Sequence, residues 1–106
     1  MHLSHLRDMV RGWFIGDFTP STLRSTAVEV AIQHRAAGCI EPAHVHRVAT
    51  EITVLVSGRA RMAGVDLEPG QILTLPPGTP ASFEAITDTI SVVVKTPSSP
   101  GDKYEI

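Results

Sequence analysis

Hydrophobic and polar residues alternate along much of the chain with the two-residue period of a β-strand. Residues 28–35 show this period most clearly. One face of this segment is apolar and ends in a histidine: Val28, Val30, Ile32 and His34. The opposite face is polar: Glu29, Gln33 and Arg35. We therefore predict a half-buried strand whose apolar face, together with His34, points into the protein.

Further short segments of the same kind follow, separated by turn residues. They predict strands at 44–46, 51–57, 59–62, 71–75, 81–86 and 89–95. Residues 76–80 hold three prolines and a glycine, a composition that cannot continue a hydrogen-bonded ladder. Many short strands at regular spacing predict an all-β protein, a sandwich or barrel of antiparallel strands.

The two ends of the chain have a different pattern. Residues 3–10 carry apolar residues three to four apart and predict one or two helical turns, and Trp13–Ile15 predicts a short strand or plug. Tyr104 and Ile106 are placed to pack back on the barrel. We divide the chain into three parts: an N-terminal arm at 1–25, a barrel at 26–96 and an extended C-terminal tail at 97–106.

Composition narrows the function classes. The chain has 106 residues, which is one domain, with 42% hydrophobic and 19% charged residues and a net charge of -2. This charge gives no attraction to nucleic acid or to an anionic membrane, so neither partner is expected. The single cysteine excludes an internal disulfide, and no apolar run is long enough to span a bilayer or act as a secretion signal. We expect a cytoplasmic protein.

The most chemically active side chains lie between Gly38 and Gly58. His44 and His46 are two residues apart, so they share one face of a strand, and a turn after His46 brings Glu51 beside them on the next strand. Two imidazoles and one carboxylate form the ligand set of catalytic zinc sites and of Fe(II) oxygenases. We predict a three-ligand site for a divalent ion, which leaves Zn, Fe, Mn and Ni as candidates.

The spacing of this cluster resembles the first motif of the cupin superfamily, Gly-x5-His-x-His-x3-4-Glu-x6-Gly. Every position is filled: Gly38, His44, His46, Glu51 and Gly58. The second cupin motif, Gly-x5-Pro-x-Gly-x2-His-x3-Asn, is matched only in its first half: Gly70, Pro76 and Gly78 are in register, but Ala81 and Ala85 replace the histidine and the asparagine.

The resemblance implies a jelly-roll barrel, also called a double-stranded β-helix. It also implies a metal site at the first motif that lacks the usual fourth ligand, since Ala81 stands in the position of that histidine. His34, if it points inward, either replaces the missing imidazole, contacts a substrate, or is a core histidine bonded to the backbone. Ala81, Phe83 and Ala85 share one face and predict a small-large-small pocket lining.

Three functions remain open from the sequence. The first is a metal-dependent enzyme of the oxygenase or isomerase type that acts on a small molecule. The second is a binding or sensing protein for a sugar or organic acid, without metal or turnover. The third is a metal-free enzyme, similar to cupin-like epimerases, in which His44 or His46 works with Glu51 as an acid-base pair.

The strand at 51–57 is apolar on both faces, since Ile52, Val54 and Val56 alternate with a face that includes Leu55. A strand covered on both sides needs a second layer, which is either Trp13–Ile15 or another subunit. Cupins often pair as dimers, so the resemblance favours a homodimer.

Overall fold

A computed structural model describes residues 1–106. It contains a 3₁₀ turn at Leu6–Asp8 and eleven strands. The strands are β1 (Trp13–Gly16), β2 (Leu23–Arg24), β3 (Glu29–Arg35), β4 (Ile40–Val45), β5 (Thr50–Ser57), β6 (Ala60–Met62), β7 (Val65–Leu67), β8 (Ile72–Leu75), β9 (Ala81–Ala85), β10 (Thr89–Thr96) and β11 (Tyr104–Glu105). No helix is both long and apolar enough to cross a membrane.

The strands form two sheets. The six-stranded sheet has the order β2-β1-β3-β10-β5-β8, and the five-stranded sheet has the order β11-β4-β9-β6-β7. All pairs are antiparallel except β1 with β2. The prediction of an all-β double-stranded β-helix is confirmed.

The apolar core is small and lies between the two sheets. Its members are Leu55, Ala60, Met62, Leu67, Leu75, Ala81, Phe83 and Ala85. Leu55 comes from the six-stranded sheet, and it packs with residues of β6, β7 and β9 on the opposite sheet. The apolar core therefore fills only one region between the sheets, and polar side chains occupy much of the rest.

The prediction that the apolar side of β3, together with His34, points inward is wrong. Gln33 lies directly opposite Ser91 on β10, and Ser91 lies directly opposite Leu55, which belongs to the core. Directly paired residues share a face, so Gln33 points inward with Glu29, Ala31 and Arg35. His34 is exposed and lies on the outer face with the apolar residues of the strand. Most inward side chains of β3 are therefore polar, whereas the inward face of a strand is usually the apolar one.

The outer face of the six-stranded sheet is correspondingly apolar. Across four neighbouring strands it carries Val30, Ile32, Ile90, Val92, Val94, Ile52, Val54, Val56 and Ile72. Val56 is 50% exposed and Ile72 is 62% exposed. Trp13–Ile15 does not cover this face, because it pairs with the edge of β3 as part of the same sheet. The other seven residues of this face are half-buried.

Both ends of the chain join the sheets. The N-terminal arm supplies β1 and β2, and the predicted helical turns at 3–10 are represented by the 3₁₀ turn alone. The tail packs back on the barrel, because Tyr104 pairs with Val45 and thereby adds an edge strand to the five-stranded sheet. The arm and the tail are therefore structural parts of the sandwich.

Gly58→Ala is expected to lower the free energy of unfolding more than Gly38→Ala. Both glycines have φ of 85°, so each substitution pays the left-handed backbone strain of roughly 1–2 kcal/mol. A Cβ at Gly58 would also lie 2.0 Å from the Asp88 carbonyl oxygen, whereas nothing lies within 4 Å at Gly38. This contact adds about 1–3 kcal/mol. Urea denaturation of the two variants measures the difference, and equal losses would contradict it.

Candidate functional site

The site begins at an irregularity in β4. Glu41 is paired with Phe83 on β9, and the next inward pair is His44 with Ala81, so β4 has one more residue than β9 between the two pairs. Pro42 lies in this bulge, where its missing N–H costs no ladder hydrogen bond. The extra residue places both Glu41 and His44 on the inward face.

The structure brings the three predicted ligands into one region. The His44 and His46 rings meet edge to face with centroids 5.0 Å apart, and Nε2 of His46 lies 3.7 Å from Oε1 of Glu51. His46 and Glu51 are buried. No group of three or more His, Cys, Asp or Glu side chains converges closely enough to form a coordination sphere. The assignment of these residues as metal ligands stays a prediction.

Both imidazoles are oriented by backbone carbonyls. Nδ1 of His44 lies 3.2 Å from the Pro42 oxygen, and Nδ1 of His46 forms a short hydrogen bond with the Asp102 oxygen. A carbonyl only accepts, so each Nδ1 donates and each neutral ring keeps its lone pair on Nε2. Nε2 of His46 is buried and has no hydrogen-bond partner. A ligating histidine has this arrangement, in which one nitrogen is fixed by an outer partner and the other is free for the ion.

His46 also has a raised pKa. The neighbouring Glu51 carboxylate is the main cause, burial acts in the opposite direction, and the Asp102 carbonyl adds to the rise. Protonation takes place at Nε2, because Nδ1 already carries a proton. A metal ion and a proton would therefore compete for the same atom.

Glu41 is a site residue that the sequence analysis missed. Its carboxylate contacts Arg35 at 2.8 Å and Lys103 at 2.9 Å, and it lies 3.8 Å from Nδ1 of His44. Burial raises the pKa of Glu41, but Lys103 and then Arg35 outweigh it, so the pKa is lowered overall. Strict alternation puts Glu41 on the face opposite to His44. Pro42 within the strand was the available signal for the bulge that changes this.

Asp102 is the second missed residue. Its carboxylate accepts hydrogen bonds from the backbone N–H groups of Arg47 at 2.8 Å, Val48 at 3.0 Å and Ala49 at 3.0 Å. Its side chain is buried, and its own carbonyl orients His46. The tail therefore fixes the turn between β4 and β5, from which His46 and Glu51 project.

The cluster opens into a cavity of about 1300 Å³ whose walls include His44 and Glu51. Ala81 and Phe83 also line it, whereas Ala85 is packed in the apolar core and does not. His34 is among the residues that line this cavity, but it is exposed on the outer side of β3 and makes no hydrogen bond or ion pair with the cluster, so the structure does not bring it to the missing ligand position.

Comparison with known proteins supports the fold assignment. No family model matches the chain, and no curated protein does either. Among solved structures, a double-stranded β-helix protein from Klebsiella pneumoniae is 24% identical, with a TM-score of 0.66 over 73% of this chain and 69% of that one. An RmlC-like cupin from Desulfovibrio desulfuricans is also 24% identical, with a TM-score of 0.64 over 69% and 74% of the two chains.

A third structure is a larger protein. The oxalate decarboxylase of Bacillus subtilis, which has Mn(II) centres, is 20% identical with a TM-score of 0.67, over 77% of this chain and 25% of that one. Together with the other two, it defines the class as a double-stranded β-helix. The likeness to these structures confirms the double-stranded β-helix fold that the cupin resemblance implies.

Replacing Asp102 with Asn should destabilise the protein at neutral pH and do so less as the pH falls below the ordinary carboxyl pKa. The variant keeps an acceptor oxygen but loses the charge, at a cost of about 1–3 kcal/mol. Burial raises the pKa of Asp102, yet the N–H groups of Ala49, Arg47 and Val48 lower it overall. The charge therefore stabilises the fold above the ordinary carboxyl pKa of about 4, and this is lost as pH falls through the lower folded value.

Denaturation of the wild type and of Asp102→Asn in urea, at neutral pH and near pH 3, measures the difference in their free energy of unfolding. Asp66→Asn is the matched control, because the Asp66 side chain is 84% exposed. If Asp102→Asn loses the same free energy of unfolding at both pH values, the charge of Asp102 does not stabilise the fold in this way.

Proposed function

We propose that this protein is a small cupin that holds one divalent metal ion through His44, His46 and Glu51 and binds a small oxygen-bearing molecule in the adjoining cavity. The observation that carries the proposal is the buried, unpartnered Nε2 of His46, whose Nδ1 is already fixed by the Asp102 carbonyl. A buried polar atom without a partner is unfavourable unless a ligand satisfies it. The donor set of two imidazoles and a carboxylate suits Zn, Fe, Mn and Ni.

The chain's own residues prepare the site in three ways. Asp102 fixes the ring of His46, and the Pro42 carbonyl fixes that of His44. Ala81, which is paired with His44, presents only a methyl group to the wall of the cavity. When bound, the ion would supply Lewis-acid polarisation of a ligand oxygen. Such a centre serves ligand binding or a reaction of the oxygenase or isomerase type, and binding is the step common to both.

The purified protein, loaded with Mn(II), Fe(II), Ni(II) or Zn(II) and then dialysed, is expected to retain about one ion per chain, the stoichiometry of a mononuclear site. The double variant His44→Ala, His46→Ala should lose it. His34→Ala is the matched control, since it removes an exposed imidazole on the outer face. Elemental analysis measures the metal content of the wild type, the double variant and the control.

Absence of bound metal in the wild-type protein with each of the four ions would overturn the proposal. That result would favour the metal-free alternative, in which His46 and Glu51, 3.7 Å apart, act as an acid-base pair. Retention of metal by the double variant would instead place the ion elsewhere.

We also propose that two copies of the chain pair through the outer face of the six-stranded sheet. The support is the continuous apolar surface across β3, β10, β5 and β8, on which the only titratable side chain is that of His34. Because this face carries no Asp, Glu, Lys or Arg, it forms no ion pairs of that kind with a charged partner. The same apolar surface on a second copy of the chain matches it under two-fold symmetry.

Ile72→Lys should shift the protein from dimer to monomer, because it places a charge in this interface. Ile40→Lys is the matched control: Ile40 is 64% exposed and Ile72 is 62% exposed, but Ile40 lies on the outer face of the other sheet. Analytical ultracentrifugation at micromolar concentration measures the mass. A monomeric wild-type protein would rule out the pairing.

A further inference from the structure

Lys95 occupies an unusual position inside the barrel. On β10 it lies directly between Glu29 on β3 and Glu51 on β5, all three on the inward face. It nevertheless forms an ion pair with neither carboxylate. Its ammonium nitrogen lies 4.7 Å from the centroid of the Trp13 ring.

The neighbouring carboxylates have other partners. Glu29 is buried and accepts a hydrogen bond from the Ser98 hydroxyl at 2.9 Å, and Glu51 lies nearest to Nε2 of His46, at 3.7 Å, which is too long for a hydrogen bond. Trp13 reaches the inward face because it pairs with Ala31, so its ring is available to hold the ammonium group over its π-face. The Trp13 ring therefore holds Lys95 in place without a direct ion pair.

The other cations beside the cluster differ from Lys95 in this respect. Arg35 and Lys103 also line the cavity, but both are bound to the carboxylate of Glu41. An ammonium group carries three donors, and those of Lys95 make no hydrogen bond within the protein. Lys95 is therefore the cation on the strands beside the cluster that has no such partner; Arg7 and Arg11, which also line the cavity without an ion pair, are exposed residues of the N-terminal arm.

A second group points to the same place. Thr53 follows Glu51 by two residues on β5 and so shares its inward face. Its side chain is buried, lines the cavity, and its hydroxyl oxygen has no hydrogen-bond partner. A buried hydroxyl without a partner is unfavourable, so a ligand or water that reaches it from the cavity stabilises it.

We propose that the cavity binds a small carboxylic acid in its anionic form, with the carboxylate held by the ammonium group of Lys95 and by the hydroxyl of Thr53. Trp13 positions the Lys95 side chain. One compact cation with one hydroxyl matches the single charge of a carboxylate, whereas a phosphate dianion calls for more donors. This subsite adjoins Glu51, and it rests on the proposed function in that the same molecule would contact the metal ion.

The test uses acetate, malonate and succinate, each paired with its neutral amide, and isothermal titration calorimetry of the metal-loaded protein. At least one acid is expected to bind while its amide does not. Lys95→Met should weaken that acid about tenfold or more, because a hydrogen bond to a charged group is lost. Lys103→Met removes the same charge from a position already paired with Glu41, so it should have a smaller effect.

A second variant separates position from charge. Trp13→Leu keeps the ammonium group but removes the ring that holds it, so it should also weaken acid binding, by less than Lys95→Met. The inference is overturned if no acid of the panel binds, if an amide binds as tightly as its acid, or if Lys95→Met binds the acid as tightly as the wild type does.

Metal content measured on the same samples distinguishes this inference from the proposed function. Binding of an acid that depends on Lys95, in protein that holds no metal, would support the subsite and remove the metal centre. Full metal content with acid binding that is indifferent to Lys95 would do the reverse.

Discussion

The candidate site depends on one buried carboxylate. Asp102 accepts three backbone N–H groups from the turn that joins β4 to β5, and its carbonyl accepts from Nδ1 of His46. The turn sets where β5 begins, and therefore where Glu51 stands relative to His46. A tail residue far away in sequence thus defines the geometry of a motif that looks local.

The second constraint is the polar interior of the six-stranded sheet. Its inward positions carry Glu29, Gln33, Arg35, Glu51, Thr53 and Lys95, while its outer face carries valines and isoleucines. Burying so many polar groups is unfavourable without partners. Glu29 finds one in the tail, and Gln33 and Arg35 bond to each other, whereas the Thr53 hydroxyl has none. The apolar core is confined to the end where Leu55 meets β6 and β9. Because the six-stranded sheet turns its polar residues inward and its apolar residues outward, it produces both the polar cavity and the apolar outer face.

Much of the fold was predictable because its signals are local. The two-residue period and the turn residues predicted the strands from β3 to β10 except β7, and the spacing from Gly38 to Gly58 indicated the cupin fold. The strand predicted at 44–46 is longer and earlier, at Ile40–Val45, so His46 lies just past its end. The face of β3 was not predictable in this way, since alternation shows that two faces differ but not which one lies inside. Edge strands as short as β2 and β11 carry too few residues for any period to show.

The sequence by itself determined most of the strands along the chain, the nearness of His44 to His46, and that of Glu51 to His46. Only the tertiary structure decided that Glu41 joins them, because the bulge at Pro42 shifts the alternation by one residue. It also decided that Asp102 fixes His46 and that Trp13 holds Lys95. These contacts join residues distant along the chain, and their geometry follows from sheet pairing, which no local pattern encodes.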